Sequence, residues 1–180
     1  MIQKTFNGVA YELPNKPEEV RLSTFEKMYL IMQDNSLGSF DRYMRIFSLF
    51  GLPEDVSGDI DEMELVDLIR EFNKVTIPTN QLVKTIEVNG RTYTAYDEEF
   101  KFKAKDIVEI ERAAMKGVSN FPSFILAVLF KDDALTKIEH YTSAHLQHKA
   151  KLFSDNLNTD VAIPYLARVA EKTLKAIKEV

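Results

Sequence analysis

The chain has 180 residues, 45% of them hydrophobic and 28% charged, the make-up of one medium domain or two small, mutually packed ones. It has no cysteine, which excludes thiol nucleophiles, disulfides and cysteine metal ligands, and its length lets it bury roughly two-thirds of its extended surface without such staples. The net charge of −5 lies in residues 1–80, where 8 Lys/Arg face 14 Asp/Glu; residues 81–180 carry 15 against 14, so no basic face for general nucleic-acid binding is expected.

The opening segments 2–6 and 9–13 flank Asn7-Gly8. This pair tolerates positive φ at both central turn positions and predicts a β-hairpin with a type I′ turn. A loop over 14–19 leads into a helix with a capping box, in which Ser23 accepts from the Glu26 amide and Glu26 reaches back to Ser23. Its Phe25, Met28, Tyr29 and Met32 recur at i, i+3, i+4 and i+7. After a break at 35–39, a helix over 40–50 puts Phe40, Tyr43, Phe47 and Phe50 on one side. An acidic loop follows Gly51-Leu52-Pro53, then a helix over 61–72 with Leu65, Leu68, Ile69 and Phe72 in phase.

A second hairpin is expected from 82–88 and 91–96 around Asn89-Gly90. The helix over 105–115 places Ile107, Ile110 and Ala114 on adjacent rows and ends at Gly117, a natural C-cap, but no Ser or Thr stands where Ser23 stands in the first. Asn120-Phe121-Pro122 starts an apolar helix reaching 130, with Pro122 in its first turn. Residues 133–157 read as helical, in one piece or two. Pro164 opens a final helix whose Leu166, Val169, Ala170 and Ile177 lie opposite Arg168, Lys172 and Lys175.

The order repeats. Asn-Gly-x-x-Tyr recurs at an offset of 82 residues, the aromatic helix at 80 to 81 and Ile-Pro at 86. The expected fold is α+β, predominantly helical, with two hairpin-plus-helices units (1–80 and 81–163) from an internal duplication and an extra amphipathic C-terminal helix (164–180). Equivalent copies would hold the helices over 40–50 and 121–130 at equivalent depth in the core.

Chemistry is sparse. His140, His145 and His148, the only histidines, fall within nine residues, and an i, i+3 pair of imidazoles can share a zinc or nickel ion. H-E-x-x-H is absent. The acids Glu54, Asp55, Asp59, Asp61, Glu62 and Glu64 do not make an EF-hand: Ile60 stands where that loop needs Gly, and Val66 where it needs Glu. The six glycines are scattered singly, which removes phosphate-cradling loops, and no serine sits in a G-x-S-x-G elbow. The opening residues lack the apolar run of a signal peptide and no apolar stretch approaches twenty residues, so a soluble intracellular protein is expected. Nothing gives a positive reason to expect an enzyme or a cofactor.

From Val88 onward the layout resembles small tail-assembly proteins of tailed bacteriophages. The matching residues are Tyr93, the run Lys105-Asp106-Ile107-Val108-Glu109-Ile110-Glu111, the helix over 121–130, and Tyr141 with Lys149 and Phe153. The resemblance implies a non-enzymatic tail assembly chaperone, or a baseplate or hub-assembly component. Such a protein binds other tail or baseplate proteins, a tape-measure protein among them, with self-association and without nucleic acid or membrane. It would act in the cytoplasm of the infected host or in the virion tail. Leu166, Val169, Ala170 and Ile177 are then the candidate partner-binding stripe, unless they simply pack on the second unit. Two alternatives stand beside this reading: a small metal-dependent enzyme built on the histidine cluster, and a bacterial adaptor protein.

Overall fold

Asn7 and Gly8 adopt φ of 51° and 77°, and Asn89 and Gly90 adopt 51° and 73°, the positive pair that a two-residue type I′ turn requires. Around the first, β1 (Ile2–Phe6) pairs antiparallel with β2 (Val9–Leu13), Phe6 opposite Val9. Around the second, β3 (Thr85–Val88) pairs with β4 (Arg91–Ala95), Val88 opposite Arg91. A Cβ on Gly8 or Gly90 would meet nothing within 4 Å, so the backbone and not space restricts these positions. Gly8→Val and Gly90→Val are each expected to cost about 1–3 kcal/mol. Urea unfolding of the two variants measures this, and unchanged midpoints would contradict the turn assignment.

The structure is a computed structural model that describes residues 1–77, 82–95, 103–132, 134–135 and 142–178, with side chains to Glu171. The fold is α+β and mostly helical. In the first half α1 (Leu22–Gln33), α2 (Ser39–Ser48), α3 (Glu54–Gly58) and α4 (Glu62–Phe72) enclose a core of Leu13, Val20, Met28, Ile46, Phe47, Leu52, Leu65, Leu68, Phe72 and Val75. Phe47 meets Phe72 edge-on at 5.2 Å. The segment read as an acidic loop contains α3, whose first turn holds Glu54 and Asp55 against the positive end of the helix dipole. Asp61 caps α4 by accepting from the Met63 amide at 2.9 Å.

In the second half α5 (Ala104–Met115) ends in a Schellman turn. Gly117, at φ 60°, donates to Ala114 and Val118 donates to Ala113. At its other end Asp106, fully buried, accepts from the Lys103 amide at 2.8 Å and does the capping that no Ser or Thr was present to do. This turns α5 on its axis: Ala113 is buried, and Ile107, expected in the stripe, is exposed.

Helix α6 (Phe121–Leu129) buries every residue from Pro122 to Leu129, as an apolar helix must when no side is polar. It runs directly into β5 (Phe130–Asp132), which adds a third strand to the second sheet with Phe130 opposite Ala95 and Asp132 opposite Tyr93. Helix α2 buries only Ile46 and Phe47 and leaves Phe40 exposed. The two helices expected at equivalent depth therefore differ: α6 is a central rod and α2 a surface helix.

Helix α7 (Ser143–Asn156) is followed by α8 (Thr159–Lys178), which begins five residues before Pro164. Thr159, fully buried, fixes that start: its amide and its hydroxyl both donate to the Val20 carbonyl, at 2.9 and 2.7 Å. Pro164 lies inside the helix, so the Asp160 carbonyl lacks its i→i−4 donor.

The two halves are joined through α1. Its first residues make a bridge, Arg21 opposite Asn158, and the Leu22 amide donates to Leu157 at 2.9 Å. Leu22 belongs to the second core, and Phe25 packs against both. The expected capping box does not form. Arg21 is the N-cap residue and no side chain caps. Glu26 instead turns into the protein, 5% exposed, where its two oxygens accept from the Ser123 amide at 2.9 Å and the Ser154 hydroxyl at 2.6 Å. A carboxyl from the first half thereby caps the N-terminus of α6 in the second. With Glu26 inward, Tyr29 and Met32, expected in the buried stripe, are exposed.

Candidate functional site

The densest group of polar side chains lies where the three-stranded sheet meets α7. Strand alternation puts Arg91 and Tyr93 on one face of β4, and pairing with β5 brings Asp132 opposite Tyr93. On α7 the buried row reads Leu146, Lys149, Ala150, Phe153, an i, i+3, i+4, i+7 stripe with a lysine in it. Lys149 is 1% exposed and donates to the Phe130 carbonyl at 2.7 Å. Asp132, buried on β5, accepts from the Ala134 amide at 3.0 Å and from Arg91 at 3.5 Å. Tyr93 packs its ring edge-on to Phe153 at 5.0 Å.

Burial pushes the Lys149 amine down from 10.5 to about 7; the carboxylate of Asp132 opposes that fall and Lys131 adds to it. Burial also raises the Tyr93 phenol, with Asp132 acting in the same direction. The His145 imidazole is lowered by burial and then by Lys149.

Lys149 makes stability depend on pH. The unfolded chain keeps its ammonium up to about 10.5 while the folded chain sheds it near 7, so between these values the unfolded state binds more protons. Stability is therefore expected to rise with pH across this window, by up to about 1.4 kcal/mol per unit. Tyr165, whose phenol burial raises to about 12, acts oppositely: its contribution is present below 10 and is lost as pH rises toward 12. Denaturation from pH 7 to 10 should show the rise in the wild type and not in Lys149→Met; equal slopes would contradict this assignment.

In front of this group is an open recess of about 220 Å³ lined by Val88, Asn89, Arg91, Tyr93, His148 and Leu152. Its lining combines the polar side chains of Asn89, Arg91, Tyr93 and His148 with Val88 and Leu152, a set that could meet an acidic or amide group. The Lys149 amine is buried against a carbonyl and does not line it.

The candidate histidines separate. His148 lines the recess, His145 is half-buried on α7, and His140 lies outside the described residues. Among the described residues no three His, Asp or Glu side chains come together as a metal site. Within the acidic run, Asp61 caps α4 and Glu64 pairs with Lys4 at 3.1 Å. On α8, Leu166 and Val169 are half-buried against the second core and Ala170 is exposed, while the Ile177 side chain lies outside the described set. Among the described residues of α8 the largest buried side chain is one sequence reasoning passed over: Tyr165, 2% exposed, donates to the Val83 carbonyl at 2.5 Å and meets Phe130 edge-on at 5.0 Å. The signal for Lys149 was available, because it falls in phase with Leu146, Ala150 and Phe153.

Among the described residues, α1, α4 and α5 each carry more than one large apolar side chain exposed on the outer face: Tyr29, Leu30 and Met32 on α1, Met63 and Val66 on α4, and Ile107, Val108 and Met115 on α5. Among the described residues no helix is long and apolar enough to cross a membrane. No family model matches this sequence, and neither a curated protein nor a solved structure is significantly similar to it.

Proposed function

We propose that the protein is a non-enzymatic tail- or baseplate-assembly protein of a tailed bacteriophage, one that holds an apolar segment of another tail protein. The observation that supports this reading is the composition of α1. Its inner side supplies Leu22, Phe25 and Met28 to the two cores, and its outer side still presents Tyr29, Leu30 and Met32. Large apolar side chains clustered on the outer side of a helix mark a place where another chain binds. The neighbouring α2 adds exposed Phe40. An amphipathic helix or extended segment of a tape-measure or hub protein is the occupant this surface suits. Of the residues that carry the phage resemblance, Tyr93, 121–130, Lys149 and Phe153 serve the second core and the sheet beside it, the run 105–111 lies on α5 with Ile107 and Val108 exposed, and Tyr141 lies outside the described residues; none of them is on α1 or α2.

Co-expression with tape-measure and hub proteins of tailed bacteriophages tests the reading. The expected result is that one of them becomes soluble and co-purifies, and that Leu30→Glu with Met32→Glu abolishes capture while thermal unfolding of the variant stays cooperative. Unchanged solubility of both candidates, or capture that survives the double substitution, overturns it.

A further inference from the structure

We infer that copies of this chain associate head to tail, the outer face of α5 in one copy seating on the outer face of α4 in the next. Each face has an exposed apolar strip at helical spacing. On α4 the strip is Met63, 78% exposed, with Val66 one turn on; on α5 it is Ile107 and Val108 with Met115, 88% exposed, two turns on. The charges around the strips are complementary. Segment 61–72 carries five acids and one base, whereas segment 103–118 carries four bases and three acids, one of them the buried Asp106.

Antiparallel apposition with Met63 opposite Met115 brings Glu62 to Lys116 and places Arg112 opposite Val66, next to Asp67. It also sets the two helix dipoles in opposition, which is favourable. Because the faces differ and lie on different halves of the chain, the contact is heterologous. Each added copy leaves one face of each kind unfilled, so the assembly grows until it closes into a ring or continues as a filament. Opposite charges around an apolar centre fix the register and make association sensitive to salt. This inference concerns the protein alone and does not rest on the assembly role proposed above.

Sedimentation velocity over a dilution series, at low and high salt, tests it. Wild type is expected to exceed the 20.7 kDa of one chain as concentration rises, with lower mass at high salt. Met63→Lys alone and Met115→Glu alone should each stay at monomer mass. Mixed, they should associate again, because each supplies the face the other has lost. Both positions are exposed, and far-UV circular dichroism verifies that the variants fold. The charge pair gives an independent reading: Lys116→Glu should weaken association and Glu62→Lys in the mixed partner should restore it. Wild type that stays monomeric throughout overturns the proposal. So does a Met63→Lys variant that still dimerises, since that result means a symmetric α5–α5 contact, or a mixture of the two methionine variants that stays monomeric.

Discussion

Ending the chain after Pro164 should produce a protein that does not fold. The cut removes Tyr165, whose ring closes the second core against Phe130 and whose hydroxyl satisfies the Val83 carbonyl, together with half-buried Leu166 and Val169. Full burial of one large apolar side chain contributes about 1.5–3 kcal/mol and half-burial about half of that, so the loss from these three is roughly 3–6 kcal/mol, near the lower end of the whole stability of a typical domain. Circular dichroism and the dispersion of amide proton shifts will show the outcome. The single change Tyr165→Ala should cost about 3–5 kcal/mol and leave a cooperative transition. A truncated chain that still melts cooperatively would return the stripe of Leu166, Val169 and Ala170 to the role of a partner surface.

The second large effect is expected at Glu26. Glu26→Ala removes the acceptor of the Ser123 amide at the start of α6 and of the Ser154 hydroxyl on α7, and it leaves a void between helices from both halves. A hydrogen bond to a charged group is worth about 1.5–3 kcal/mol, and the stranded donors keep their desolvation penalty, so the expected loss is about 3–5 kcal/mol. Glu26→Gln keeps the shape and one acceptor oxygen, and should lose about 1–2 kcal/mol. Chemical denaturation of both variants measures the difference. A carboxyl serving only its own helix would cost about 0.5–2 kcal/mol on removal, as a cap does.

Glu26 also shows where reading the sequence stops. Ser23 and Glu26 have the spacing of a capping box, and nothing local separates that pattern from a glutamate whose partners lie 97 and 128 residues away. Both hairpins were legible because Asn-Gly restricts the backbone by itself, and α4 and α6 were legible because an apolar period and a proline act within a few residues. Strand β5 was not: its three residues are too few to show alternation, and they continue an apolar helix without a break. Helix α8 was placed five residues late because proline ordinarily opens helices, whereas here the buried Thr159 sets the start through contacts with Val20. The repeated order of elements was readable, but the depth of each helix was not, since depth depends on what packs around it. For the recess, the hairpin residues could be named from sequence, but their meeting with His148 and Leu152 arises only when α7 lies across the sheet.

The bridge between residues 20–22 and 157–159 has a consequence for synthesis. Leu22 hydrogen-bonds to Leu157, 135 positions later in the chain, and Glu26 waits nearly as long for Ser154. At roughly 5–20 residues per second, about 7–27 s pass between translation of α1 and translation of its partners. During that interval the inner face of α1 has only the first core to rest on, and Leu22 and the Glu26 carboxyl remain in water. The nascent chain thus passes through a stage at which its first helix is accessible on both faces, and that accessibility ends only when the last helix has begun to emerge.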